Sequence, residues 1–296
     1  MTITKRQHYV PRFYLRYFTN PDGKMNVYRR DADAFFLSAP EGVCSENYLY
    51  EVRHLGFGEE NSSPEFLRNY IENQMAGAES RLAPLYEQLI ACCDNHEFRA
   101  ETFHEGRLAA CILAANLIVR HPRLLEGDRM GASELTKTFL AANKLTDQEL
   151  WMLEQIGIGD DLDIVSEIAI MQTLLFSGHP DVPFTRIFNA FADKKATILQ
   201  APVGMSFITT SMPLDLIGID EDAYNFQIAY MPLSSKYAVL FSSDDHAALF
   251  NKASFEETAQ FNAALLANSF WDTAMAQAKG SLEIAVRRYK NLRETQ

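Results

Sequence analysis

The chain has 296 residues, 47% of them hydrophobic and 22% charged, a composition that excludes a largely disordered or collagen-like polymer. Its 27 Lys and Arg stand against 39 Asp and Glu, and the net charge of −12 opposes nonspecific binding to nucleic acid or an anionic membrane while leaving room for a local basic site. The cysteines Cys44, Cys92, Cys93 and Cys111 include an adjacent pair that suits neither a zinc knuckle nor an ordinary disulfide, so they read as reduced, buried thiols of a cytoplasmic protein.

The basic opening MTITKRQHYVPRFYLRYF lacks a continuous apolar run and reads as the start of a folded domain. Residues 7–55 read as short strands with one helical turn. Asn20–Lys24 separates YLRYF from MNVYRR in a hairpin-like layout, and a second break at Ala39–Gly42 precedes VCSENYLYEV. Helical spacing begins at Pro64, capped by Ser62 and Ser63. Phe66, Leu67, Tyr70, Ile71, Met75, Leu82, Leu85 and Leu89 then recur every three or four residues, with a kink expected at Pro84. A second helix is predicted from Glu101 to Val119, apolar nearly all round and stopping before Pro122.

Three more helical patterns fall in 131–177, followed by a loop over 178–183. Residues 183–243 read as a strand meander with turns at Pro202–Gly204, Asp220–Tyr224 and Ser234–Lys236. From Ser254 the chain reads as helix, ending in one long element through Trp271 to Leu292. The layout predicts an α+β fold: a helical middle (62–180) and C-terminal helices (254–292) packed with an N-terminal β-rich lobe (1–60) and the meander. The alternative is a mainly α bundle with a β appendage. A single integrated domain over 1–296 is expected, and no window is long and apolar enough to span a membrane.

No GxxxxGK[ST], GxGxxG, HExxH, GxSxG or EF-hand sequence occurs. What remains is a set of polar residues on faces that otherwise read as buried. Glu72 and Glu79 lie two helical turns apart on one face. Asn116 and Arg120 share a face of the apolar second helix, and a buried charge there must be paired, so a Glu–Arg bridge between the helices is expected. The N-terminal stretch adds His8, Arg12, Tyr14 and Arg16. His121 reads as a surface or capping residue at a helix end, and the other histidines show no metal-ligand spacing. The doublets Arg29–Arg30 and Arg287–Arg288 read as solvated, and the acidic doublets 160–161 and 244–245 as turn residues.

These residues also carry a resemblance. Gln7–Phe18 (QHYVPRFYLRYF) resembles the opening signature of the domain-of-unknown-function 4238 family, found mainly in bacteria. Asn47-Tyr48 through Tyr50, the spaced Glu72 and Glu79, and Arg120-His121-Pro122-Arg123 are similar to further parts of its pattern. So are Phe207–Leu214 and Pro232-Leu233-Ser234. The chain departs from the pattern at Ser211-Met212, where the family usually offers Asp-Asn, which removes any role that acid has in relatives. The resemblance names no reaction. It implies one integrated domain in which His8, Arg12, Glu72, Glu79, Arg120 and the Thr209–Pro213 strand end come together.

Three functions are compatible with such a cluster. The first is a hydrolase acting on a phosphate-containing substrate, nucleic acid or nucleotide, as a nuclease or phosphodiesterase would. His8 would act as general acid or base, Glu72 and Glu79 would orient it or hold a divalent metal, and Arg12 and Arg120 would stabilise developing charge. Arg16, Asn116, Thr209 and Thr210 would complete the binding surface. The second is a sensor holding a small anion between arginines. The third is an interaction protein whose polar cluster fixes helix register. Oligomeric state is not legible.

Overall fold

A computed structural model describes residues 3–52, 56, 58–60, 62–63, 65–126, 151, 171, 175, 182–219, 225–244, 246–267 and 270–294. The readings for 131–177, the 178–181 loop and the Asp220–Tyr224 turn therefore lie outside the described residues or nearly so. Among the described residues, helices and eleven strands in three sheets make an α+β fold.

The N-terminal segment begins with β1 (Arg6–His8), which pairs antiparallel with β4 (Ser45–Asn47). Between them, Pro11 precedes a helical turn α1 (Arg12–Leu15) that tightens into a 3-10 turn, Arg16–Phe18. YLRYF is thus helical, and Asn20–Lys24 does not join two strands of a hairpin. Asn20 Oδ1 accepts the backbone N–H groups of Asp22 and Lys24 and turns the chain into β2 (Met25–Arg29). The hairpin follows that strand. β2 pairs with β3 (Ala34–Ser38) around a turn that holds Asp33 at φ 46°.

A short helix α2 (Glu65–Arg68) leads into α3 (Tyr70–Asn95), which runs on through Pro84 and ends with His96 in the left-handed conformation. α4 (Glu101–Val119) begins and ends where its apolar run predicts. The five-residue link makes α3 and α4 a helical hairpin, and Gly106 packs directly against Leu89. A Cβ at Gly106 would fall 2.7 Å from Leu89 Cβ.

The strand-meander reading for 183–243 is corrected at its start, because Pro183–Ala192 is a helix, α5. Pro183 occupies the first turn, and Phe184, Ile187, Phe188 and Phe191 recur at helical spacing, with Ile187 and Phe191 buried. After it, β5 (Lys195–Gln200), β7 (Asp215–Ile217), β8 (Ile228–Pro232), β9 (Tyr237–Ser242) and β10 (Phe250–Lys252) form a sheet in the order β10-β5-β9-β8-β7. All its pairs are antiparallel except β10 with β5.

The reading of 254–292 as helix is corrected in its middle. α6 (Phe255–Ala267) and α7 (Lys279–Glu294) are separated by a buried strand, β11 (Thr273–Ala276). β11 lies between β2 and β6 (Thr209–Thr210) in the sheet β3-β2-β11-β6. Its four residues are all buried, so the strand satisfies backbone groups that a helix would leave the neighbouring β2 without. This sheet joins the two ends of the chain. Trp271, Tyr28, Phe207, Leu266 and Leu282 form the apolar core beside it, and a larger core surrounds α3 and α4.

Candidate functional site

The site is built where the first segment crosses the α3–α4 hairpin. Arg120, at the C-terminal end of α4, is buried, and each of its three nitrogens donates a hydrogen bond to a different segment of the chain. Nη1 donates to Glu79 Oε1 on α3 at 2.7 Å, Nε to the Tyr50 hydroxyl at 3.0 Å, and Nη2 to the His8 carbonyl at 2.5 Å. The Tyr50 hydroxyl donates to the same carbonyl at 3.2 Å. Burial disfavours the cation, but Tyr50 and Glu79 outweigh that cost and hold Arg120 charged above its ordinary range. The expected Glu–Arg bridge is present.

Beside this node lie groups with perturbed protonation. Glu72, half-buried two turns before Glu79, has its carboxyl pushed up to about 7, first by burial, with Glu79 adding to the shift and Arg120 and Arg12 opposing it. The His8 imidazole is shifted the other way. Burial and the neighbouring Arg12 and Arg6 guanidinium groups lower its pKa, against a hydrogen bond to the Glu41 backbone and the field of Glu79. Its Nε2 is buried without a hydrogen-bond partner. His8 and Glu72 therefore sit in the fields of the same two residues, Arg12 and Glu79. Arg12 is itself exposed on the first turn of α1.

The other sequence candidates fall elsewhere. Arg16 is exposed and makes no hydrogen bond or ion pair to this group. Asn116 is near Arg120, but its Nδ2 donates to the Ile112 carbonyl one turn back at 3.1 Å. Thr209 and Thr210 are fully buried. Thr209 Oγ1 shares a hydrogen bond of 2.9 Å with the Tyr14 hydroxyl, which is also 2.9 Å from the Pro232 carbonyl, and Thr210 Oγ1 accepts the Met212 N–H. The strand end thus bonds to α1 and to its own turn. Ser211, at the departure from the family pattern, accepts the Asp272 N–H at 3.0 Å and so supports the edge of β11.

His121 is not at the surface. It is buried edge-on between Tyr9 and Phe270, because the chain turns straight into a further helical segment at Pro122, and burial lowers its pKa. The four cysteines are free and buried, and burial pushes the Cys93 and Cys111 thiols up to about 12, far from reactive thiolates. A second buried ion pair escaped the sequence reading. Arg68 of α2 pairs with Glu51, whose other oxygen accepts the Gly58 N–H at 3.0 Å, while Arg68 Nη2 donates to the Gly58 carbonyl at 2.6 Å. The available signal was Glu51 itself, a carboxylate inside the apolar run Leu49-Tyr50-Glu51-Val52.

Among the described residues, no group of three His, Cys, Asp or Glu side chains is placed to hold a metal ion, and no helix is long and apolar enough to cross a membrane. Fold and site together define an α+β protein in which an N-terminal signature segment is locked onto a helical hairpin by a buried arginine. The chain belongs to the family described as protein of unknown function (DUF4238), which matches residues 6–279. No curated protein matches the chain, and no solved structure does.

Proposed function

We propose that the protein is a hydrolase of phosphate esters in which His8 and Glu72 transfer protons and Arg12 binds the phosphoryl oxygens. The observation that carries this reading is the unpartnered, buried Nε2 of His8 in the same charge environment as a carboxyl that keeps its proton up to about pH 7. A neutral imidazole with a free nitrogen accepts a proton, and a protonated carboxyl donates one. Water would lose its proton to His8 Nε2 as its oxygen bonds to phosphorus. Glu72 would protonate the leaving oxygen as the second P–O bond breaks, and the Arg12 guanidinium would stabilise charge on the non-bridging oxygens. Among the described residues no third His, Cys, Asp or Glu joins Glu72 and Glu79 in a metal-ligand group, and the proposal uses the side chains themselves.

Hydrolysis of p-nitrophenyl phosphate and bis(p-nitrophenyl) phosphate tests the proposal. Turnover is expected to fall on the alkaline side of about pH 7, where Glu72 loses its proton. Glu72→Gln and His8→Gln should each lose at least about a hundredfold while remaining folded and no less stable than wild type by more than about 1 kcal/mol. Turnover unchanged in both variants would refute the assignment.

A second reading has its own support. Arg120 is held by Glu79, Tyr50 and the His8 carbonyl, as a device fixing helix register would be. The two readings apply to different atoms: the Arg120 node is structural, and the His8 ring, Glu72 and Arg12 form the reactive edge.

A further inference from the structure

We infer that the groove between α3 and α4 receives the organic part of the substrate, so that the ligand class is a phosphate ester of a single apolar ring or short chain. This rests on the phosphate-ester reading and specifies its substrate. The groove encloses about 250 Å³ under Pro11, the residue that precedes Arg12. That is below the usual range for drug-sized ligands and sufficient for one ring. Met75, Leu82 and Leu85 on α3 and Ile112 and Leu113 on α4 supply its walls.

The groove continues the reactive edge. Glu72, Met75, Glu79 and Leu82 follow one another at three- and four-residue steps on α3, so one helix stripe carries the acid–base carboxyl and then the apolar wall. Glu79 lines the groove and also acts electrostatically on both His8 and Glu72. The inner polar groups offer little to a hydroxylated ligand. Each Arg120 nitrogen and the Asn116 Nδ2 already donate one hydrogen bond within the protein, and Arg81 is the other cationic lining residue, on an otherwise mainly apolar groove. A sugar entering here would regain few of the hydrogen bonds it gives up to water against these mostly apolar walls, whereas an apolar group gives up none.

Calorimetric binding of phenylphosphonate and methylphosphonate, neither of which is hydrolysed, tests the inference on the full chain. Phenylphosphonate is expected to bind at least about tenfold more tightly. Ala78 also lines the groove, and Ala78→Phe, or Leu85→Trp should the first variant fail to fold, fills it. Either should remove that preference and leave methylphosphonate binding unchanged. Equal affinities in the wild type, or a preference that survives a folded filling variant, would overturn the inference and leave the phosphate-ester reading standing. Phenylphosphonate binding that is lost on filling but unaffected by Arg12→Ala would overturn the phosphate-ester reading and, with it, the ester class inferred here. Absence of binding by either compound would overturn both.

Discussion

Glu72 carries a stability cost that has a definite sign. Its carboxyl titrates near 7 in the folded chain against a usual value of 4.5, so between those limits the folded state holds a proton that the unfolded state has released. Stability from this group therefore falls as pH rises from about 4.5 to 7, by about 3 kcal/mol at most, since the residue is only half-buried and water screens part of the effect. Glu72→Gln removes the cost. In urea melts the variant should match wild type at pH 4 and exceed it by about 1–3 kcal/mol at pH 8; a variant less stable than wild type at pH 8 would contradict the burial argument. His8 acts oppositely: its lowered pKa makes the folded state lose stability as pH drops below about 6.5, where the unfolded chain takes up a proton that the buried ring refuses. Both groups therefore cost stability together only at mildly acid pH, a pattern that the proposed proton-transfer roles would account for.

At this scale the sequence was informative about pairs and silent about backbone partners. Glu79 and Arg120 could be matched because a charge on an apolar helix demands a partner and the glutamates share one helix face. The His8 carbonyl and the Tyr50 hydroxyl, which complete the arginine's coordination, leave no mark in residue type or spacing. Thr209 and Thr210 were brought in by family resemblance. Their hydroxyls bond to Tyr14 and to Met212, contacts of a sheet end that no side-chain chemistry distinguishes from those of a binding site.

Among the elements, α3 and α4 were legible because their apolar residues follow the helical period for many turns. The closeness of their packing was not, since it depends on one residue without a side chain. Gly106 permits an approach in which an added Cβ would sit 2.7 Å from Leu89 Cβ and 2.9 Å from its Cα. Gly106→Ala should destabilise the protein by about 1–3 kcal/mol despite the better helix propensity of alanine, because backbone as well as side chain must move. Thermal unfolding checks this, and a stabilised variant would show that the hairpin is free to separate there. The two misread elements share a cause. The segment Phe184–Phe191 and the strand Thr273–Ala276 are short and apolar, and periodicity over so few residues does not separate a helix from a buried strand. Pro183 favours the helix. The exposed hydrogen-bonding edges of β2 and β6, remote in sequence, select the strand.

In the whole molecule, the sheet β3-β2-β11-β6 ties the N-terminal segment to the C-terminal one, while the Arg120 node holds the first strand on the α3–α4 hairpin. The Arg120 bond to the His8 carbonyl then brings His8 and Arg12 to Glu72 and Arg120, residues sixty or more positions away. The α+β class followed from the order of patterns along the chain, whereas the joining of its ends is a non-local pairing that composition and period do not encode. Arg6, Arg12 and Arg16 are exposed together, a local basic surface on a molecule whose net charge is −12.

The division of the cluster into a structural arginine node and a reactive edge is most directly tested by one paired measurement on the same samples. Unfolding free energy and inorganic-phosphate affinity would be determined for wild type, Arg120→Ala and His8→Gln. Arg120→Ala should lose about 3–5 kcal/mol of stability, because Glu79, Tyr50 and the His8 carbonyl are left without their cation. His8→Gln should stay within about 1 kcal/mol of wild type and bind phosphate at least tenfold more weakly. A His8 variant as unstable as the arginine variant, with phosphate affinity unchanged or absent throughout, would contradict the account and leave the whole cluster structural.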